Sequence, residues 1–141
     1  MKELVGEECF QILDNKGYIL FYFGASWCKP CQEILPSIED MVQEYDPNMI
    51  QFYKIDIDNE KNKLICEKCK IKVVPSFLLF KGRSFINRTK GNNIHSVREI
   101  VNSVFVPDKQ ITPIEDKKIV EENKDPFSFN KEIFNKKRLF K

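Results

Sequence analysis

The chain has 141 residues, of which 42% are hydrophobic and 31% are charged, and its formal net charge at pH 7 is +2. This composition permits a packed core and excludes global disorder, and the length suits one domain with an appendage. This charge is too balanced to suggest a nucleic-acid partner, because proteins that bind nucleic acid usually carry a concentrated basic face.

The apolar segments and the cysteine count bear on the cellular compartment of the protein. The longest apolar run, YILFYFGA, is far shorter than the roughly 20 residues that cross a bilayer. The first ten residues are polar and acidic and lack the apolar stretch of a secretory signal. Five cysteines, an odd number, argue against a secreted disulfide framework. We therefore expect a cytoplasmic protein without a membrane span.

The hydrophobic pattern predicts alternating strands and helices in the first half of the chain. Residues 3–15 predict a short strand or coil and then a helix, and YILFYFGA is typical of a buried central strand. The next helix opens at CKPC and carries apolar residues at i, i+3 and i+4 spacing, with Pro36 expected to kink it. MIQFYKIDID predicts a second central strand.

The following segments predict a helix, a hairpin and a closing helix. NEKNKLICEKCK has a one-sided apolar pattern, and VVPSFLLFKGRSFINRTKG predicts two antiparallel strands joined by a tight turn at KGR. NIHSVREIVNSVF places its apolar residues on one helical face. This order predicts an α/β fold with a central mixed sheet of four or five strands, flanked by about four helices.

The composition changes at Val106. Residues 106–141 hold three of the seven prolines and no cysteine, with nine basic and seven acidic residues. We therefore predict a domain at 1–105 and a C-terminal extension at 106–141, partly extended or disordered, with a candidate short helix near 130–140. Phenylalanines are costly to expose, so those of the extension predict docking onto this domain or tail-mediated self-association. They are Phe127, Phe129, Phe134 and Phe140.

The segment GASWCKPCQEILPSIE holds a CxxC pair, which in a reducing compartment is more often redox-active or metal-binding than structural. A buried strand feeds Cys28 into a helix start, where backbone N–H groups and the helix dipole stabilise a thiolate. Cys31 lies on the same helical face, close enough to attack a mixed disulfide formed at Cys28. We expect Cys28 to be exposed at the helix tip and Cys31 to lie one turn inside. Lys29 adds a cation, Pro30 stiffens the turn, and Trp27 offers an apolar wall to a peptide.

WCKPC, followed by Pro36, VVPSF and Gly91, resembles the thioredoxin family over roughly residues 3–105. The resemblance implies a thioredoxin-like three-layer fold and a thiol–disulfide oxidoreductase that reduces protein disulfides. It implies that Cys28 is the attacking nucleophile and Cys31 the resolving thiol, together closing a redox-active Cys28–Cys31 disulfide. The substrate-binding positions that it implies are Trp27, Lys29, Pro30, Val74, Pro75 and Gly91.

The same resemblance implies a cis peptide bond before Pro75 and a Val74 backbone that pairs with an extended substrate. It implies no bound cofactor or metal beyond the redox-active disulfide. A thioredoxin reductase, commonly flavin-dependent, or another thiol reductant would return the dithiol, giving the protein a role in electron transport and cell redox homeostasis.

Two features depart from the family pattern. Tyr22 stands five residues before Trp27, where the family usually has a buried aspartate, although the partner lysine remains as Lys54. A phenol, with a reference pKa of about 10, cannot act as a carboxylate base at neutral pH, so we expect slow resolution by Cys31. Lys-Pro between the cysteines, in place of Gly-Pro, predicts a somewhat higher redox potential. The alternative function is a weakly active or inactive binding or scaffold module whose tail gives partner specificity.

A second CxxC pair, Cys66 and Cys69, is separated from the first by 34 residues. The usual separation of zinc-binding CxxC pairs is about 15–20 residues, so we do not expect a zinc site. We favour two ordinary helix cysteines, one partly buried, over a second redox pair. Cys9 is expected to be a small core residue and His95 a surface or capping residue.

Overall fold

The computed structural model of the protein describes residues 1–105. The predicted extension at 106–141, with its candidate helix near 130–140 and its docking phenylalanines, lies outside the described residues. The boundary at Val106 therefore stays a prediction.

Residues 1–105 form an α/β fold of five strands and four α-helices, which confirms the predicted fold class. In chain order the elements are β1 (Lys2–Leu4), α1 (Glu8–Gln11), β2 (Tyr18–Gly24), α2 (Lys29–Val42), β3 (Ile50–Asp56), α3 (Lys63–Lys68), β4 (Ser76–Lys81), β5 (Ser84–Lys90) and α4 (Ile94–Phe105). Short 3-10 turns at Ile12–Asp14 and Glu60–Asn62 follow α1 and precede α3. No helix of this described region is long and apolar enough to span a membrane.

The helix predicted over NEKNKLICEKCK is shorter than its apolar pattern suggests. The Asn59 side chain accepts the Lys61 N–H at 2.9 Å and opens a 3-10 turn, so the α-helix itself begins at Lys63. It ends before Cys69, because Lys70 adopts a positive φ of 55°, which stops helical propagation.

The strands lie in the order β1-β3-β2-β4-β5. Strand β3 is parallel to both β1 and β2, whereas β4 is antiparallel to β2 and β5. Strand β2 is the central strand, and every residue from 19 to 24 is buried, as expected for a strand covered on both faces. The register pairs Gly24 with Asp56 and Phe23 with Ser76. The C-terminal ends of β2 and β3 therefore lie at the same end of the sheet as the start of β4.

Two apolar layers cover the sheet. On one face, Leu20 and Tyr22 of β2 belong to a core with the apolar sides of α2 and α4. On the other, Ile19, Phe21 and Phe23 belong to a core with α1 and α3. This alternation follows from the two-residue side-chain period of a strand. Because of this packing, α2 lies against one face of the sheet, and the N-terminus of α2 lies at the end of the sheet where β2 ends.

Candidate active site

Cys28 and Cys31 lie at the start of α2 and are joined by a disulfide, with their Cα atoms 5.2 Å apart. Cys28 is the N-cap residue, and the Cys31 N–H donates a 3.2 Å hydrogen bond to its Sγ. Pro30 occupies the first turn, where its missing N–H interrupts no helical hydrogen bond. When the disulfide opens, the same N–H and the positive end of the helix favour a negative charge on the Cys28 sulfur.

The dithiol is more enclosed than its sequence position suggests. Cys28 is only 4% exposed, so the expectation of an exposed nucleophile is wrong, whereas Cys31 is fully buried, as expected. The cover comes from the segment before β4, where the carbonyl oxygen of Val74 lies 3.6 Å from Cys28 Sγ. The Val74 backbone therefore lies directly beside the Cys28 sulfur.

The Val74–Pro75 peptide bond is cis and is tied to both neighbouring segments. The Pro75 carbonyl oxygen accepts a 2.9 Å hydrogen bond from the Gly91 N–H, and Ser76 Oγ donates to the Val73 carbonyl oxygen at 2.6 Å. Gly91 has φ of +92°, a backbone conformation that favours glycine. The structure thus brings Val74, Pro75 and Gly91 together beside the dithiol.

The other positions predicted from the sequence to bind substrate are exposed on the surface on either side of Cys28. Trp27 is 67% exposed, which is high for a tryptophan, and Lys29 and Pro30 are also exposed. Exposed Val73 adds a second apolar side chain before the Val74–Pro75 bond. Large apolar side chains exposed around a cleft are typical of a surface that binds another protein.

Sequence reasoning missed two contributors to this arrangement. Gln32 donates from its side chain to the Ala25 and Ser26 carbonyl oxygens, at 3.3 and 3.2 Å, and so holds the turn before Cys28. Its position four residues after Cys28, on the same helical face, was the available signal. The second missed contributor is Val73. Its exposure depends on a loop conformation that the local sequence does not predict.

Tyr22 lies beneath the dithiol, at the position where the sequence resemblance predicts a carboxylate. Its hydroxyl donates a long hydrogen bond of 3.5 Å to the Cys31 carbonyl oxygen, and its ring stacks on Phe77 with centroids 5.4 Å apart. Lys54 is its register partner on β3. Burial raises the pKa of Tyr22, so the phenol stays protonated at neutral pH. It can position the Cys31 backbone, but it cannot take a proton from the Cys31 thiol.

The remaining cysteines lie on the opposite face of the sheet from Cys31. Cys9, Cys66 and Cys69 are thiols, with Cys9 and Cys69 fully buried and Cys66 half-buried. Burial, reinforced by the neighbouring Cys66 and by Glu8, raises the pKa of Cys9 to about 12. Burial, reinforced by the nearby carboxylates of Asp56 and Glu67, raises the pKa of Cys66 to about 11. Such thiols are unreactive at neutral pH.

Metal-ligand clusters and the single histidine of the chain are the other sequence candidates for a role at the site. Within residues 1–105, no group of three or more His, Cys, Asp or Glu side chains is arranged to hold a metal ion. His95 is exposed in the first turn of α4, where its N–H donates to Asn93 Oδ1 at 3.0 Å.

Comparison with known proteins gives a consistent result. A sequence model of the thioredoxin family matches residues 2–103. The thioredoxin of Coprinus comatus is 34% identical over 93 residues, covering 65% of this chain and 86% of its own length. That of Oryctolagus cuniculus is 27% identical over 108 residues, covering 74% and 99%. The solved structure of Fasciola hepatica thioredoxin matches with a TM-score of 0.65 and 26% identity, covering 72% of this chain and 97% of its own.

Proposed function

Because the chain belongs to the thioredoxin family and is a thiol–disulfide oxidoreductase that reduces protein disulfides, we propose that Cys28 is its nucleophile and Cys31 its resolving thiol. The observation that carries this assignment is the hydrogen bond from the Cys31 N–H to Cys28 Sγ. It stabilises negative charge on the sulfur of Cys28, which is 4% exposed, whereas Cys31 is fully buried.

In the first step the Cys28 thiolate attacks one sulfur of a substrate disulfide. That S–S bond breaks, the second substrate sulfur leaves as a thiolate, and a mixed disulfide joins Cys28 to the substrate. The Cys31 thiolate then attacks the Cys28 sulfur and releases the remaining substrate sulfur. Two electrons pass to the substrate, and the protein ends with the Cys28–Cys31 disulfide.

The Cys31 proton has to leave before the second step. Tyr22 is protonated and cannot accept it, and Cys31 is fully buried. The substrate thiolate released in the first step is a base of suitable pKa that is already at the site. We assign it as the proton acceptor, with the Tyr22 hydroxyl holding the Cys31 backbone in place.

The groove for the substrate follows from the same contacts. An extended substrate segment pairs with the backbone at Val74, beside the cis bond to Pro75. Gly91, through its hydrogen bond to the Pro75 carbonyl oxygen, holds that backbone in position. Trp27 covers the apolar part of the segment, and Lys29 and Pro30 border its other side.

Membership of the family implies protein disulfides as substrates and a reductase as partner. We propose that a thioredoxin reductase or another thiol reductant restores the dithiol, so that the protein passes electrons onward and needs no bound cofactor. The odd number of cysteines supports the cytoplasm as the compartment. We keep 1–105 as the catalytic domain and 106–141 as an extension.

Reduction of insulin disulfides by dithiothreitol tests the reductase assignment. We expect the protein to accelerate the reaction well above the reductant alone, and Cys28→Ser to abolish that acceleration. Cys9→Ser, which changes a buried thiol on the other face of the sheet, is the matched control and should retain it. Equal acceleration by Cys28→Ser and the unchanged protein would contradict the assignment.

A further inference from the structure

A cavity of about 460 Å³ opens between the end of α3 and strand β5. Its lining residues are Lys70, Lys72, Val73, Ser76, Arg88, Thr89 and Lys90. Four of these seven side chains are cationic, none is acidic, and Thr89 and Ser76 add hydroxyl groups. The domain of residues 1–105 has equal numbers of basic and acidic residues, so this cavity is an uneven local concentration of positive charge.

The cations of this cavity form no ion pair with a carboxylate among the described residues. Lys70, Lys72 and Lys90 are exposed, and none of the four forms an ion pair with a carboxylate of residues 1–105. Arg88 is half-buried and donates to the carbonyl oxygens of Cys69 and Lys70, at 3.0 and 3.4 Å. Its partners are therefore uncharged, and its burial lowers its pKa because the cation is desolvated.

Nearby acidic residues lie on the other side of the lysines. Lys70 and Lys72 also border a second cavity, which contains Asp58, Glu60 and Glu67. The two lysines thus stand between a cavity that contains three carboxylates and a cavity whose charged lining residues are all cations. An anion entering the first cavity meets no carboxylate among its lining residues.

The cavity adjoins the dithiol through the segment before β4. Val73 and Ser76, which line it, flank the Val74–Pro75 bond, and the Val74 carbonyl oxygen lies 3.6 Å from Cys28 Sγ. Lys90 is the register partner of Ser76 at the end of the edge strand β5. A peptide that runs along Val74 therefore passes the cavity within a few residues of its reacting sulfur.

We propose that this cavity binds carboxylate side chains of the substrate, so that the protein favours disulfides flanked by glutamate or aspartate. The proposal rests on the function proposed above, because the substrate segment must lie along Val74. Opposite charges steer encounter and select among partners, and they do so most at low ionic strength. The bonds that form and break are those already described.

Lys72 and Lys90 are the residues to change. Arg88 holds the end of α3 and Lys70 has a positive φ, so substitution of either could disturb the fold. The test variant is Lys72→Glu/Lys90→Glu. The control is Lys2→Glu/Lys16→Glu, which changes net charge equally at two exposed lysines, one on the opposite edge strand and one beside Gly82 at the far end of β2.

The substrates are two homodimeric peptide disulfides that differ only in having glutamates or glutamines around the cysteine. At low salt we expect Lys72→Glu/Lys90→Glu to lower the rate constant for the glutamate peptide by about tenfold and that for the glutamine peptide by less than about twofold. The control variant should leave both rate constants close to those of the unchanged protein. Equal effects of the two variants on the glutamate peptide would overturn the proposal.

A binding measurement separates this proposal from the proposed function. Fluorescence anisotropy follows a labelled glutamate peptide whose cysteine is replaced by serine, so that no exchange can occur. We expect the unchanged protein to bind it and the Lys72→Glu/Lys90→Glu variant to lose that binding. Equal binding by both would overturn the cavity assignment even if disulfide reduction proceeds. Failure to reduce either peptide, with this difference in binding intact, would contradict the reductase mechanism alone.

Discussion

The phenol of Tyr22 folds back over Gly24, so that a Cβ atom at Gly24 would overlap the Tyr22 hydroxyl and ring. The two residues are two positions apart on β2, so a side chain at position 24 would face the same side of the sheet as Tyr22. Because Gly24 has no side chain, it leaves room for the Tyr22 ring and hydroxyl beneath the dithiol.

Gly24→Ala should destabilise the domain because Tyr22 is buried and stacked on Phe77 and cannot move aside freely. Overpacking of this kind typically costs about 1–3 kcal/mol of unfolding free energy, measured by urea denaturation of the oxidised protein. Gly17→Ala is the matched control, since nothing lies within 4 Å of a Cβ at that position.

The shorter side chain in Tyr22→Leu should reduce the cost of Gly24→Ala. A double-mutant cycle over the two positions then gives a coupling energy of about 1 kcal/mol or more. Additive effects would mean that the cost of Gly24→Ala arises elsewhere.

Tyr22→Phe should leave the rate of insulin disulfide reduction within about threefold of the unchanged protein, since loss of general acid–base catalysis costs about 10²–10⁴-fold. The raised pKa of Tyr22 keeps the phenol protonated, so removing its hydroxyl removes a positioning hydrogen bond and no base. The pH profile of the reaction should likewise stay in place. A loss of activity of a hundredfold would show that the phenol takes part in proton transfer.

Stability should fall in alkaline solution partly through Cys9. Its pKa is about 12 in the folded protein and 9.0 without the fold, so folding favours the protonated thiol. This contribution is fully present below pH 9.0, declines as the pH rises, and is lost through the folded pKa of about 12.

Urea denaturation between about pH 8 and about pH 10.5 measures the effect, with Cys9→Ala as the comparison. The unfolding free energy of the unchanged protein should decline more steeply than that of Cys9→Ala, by up to about 1.4 kcal/mol per pH unit. Ionisation of Tyr22, Tyr45 and Tyr53, whose pKa values are also raised by burial, occurs in both proteins and cancels in the difference. Parallel curves would exclude Cys9 as a source of the pH dependence.

The sequence predicted what depends on local patterns. The apolar run of β2, the turn between β4 and β5, and the spacing of apolar residues in α2 and α4 each determine an element within a short stretch. The CxxC pair at a helix start predicted the site for the same reason, since its chemistry needs only a helix N-terminus and one turn of spacing.

Features formed by distant segments were not predictable in this way. Cys28 is enclosed by the Val74 backbone, 46 residues away in the sequence. The cationic cavity needs the end of α3 and strand β5 to meet, and neither Lys72 nor Lys90 stands out in its own segment. The fit of Tyr22 over Gly24 depends on a side-chain direction within one strand that residue types alone do not specify.

The central claim is that Cys28 attacks the substrate and Cys31 releases it, and trapping the mixed disulfide tests this most directly. Reduced Cys31→Ser protein is incubated with a peptide disulfide, and the products are analysed by mass spectrometry after digestion. We predict one peptide attached through Cys28, and no comparable adduct in Cys28→Ser. Attachment at Cys31 in Cys28→Ser at a similar rate, with none at Cys28 in Cys31→Ser, would contradict the assignment.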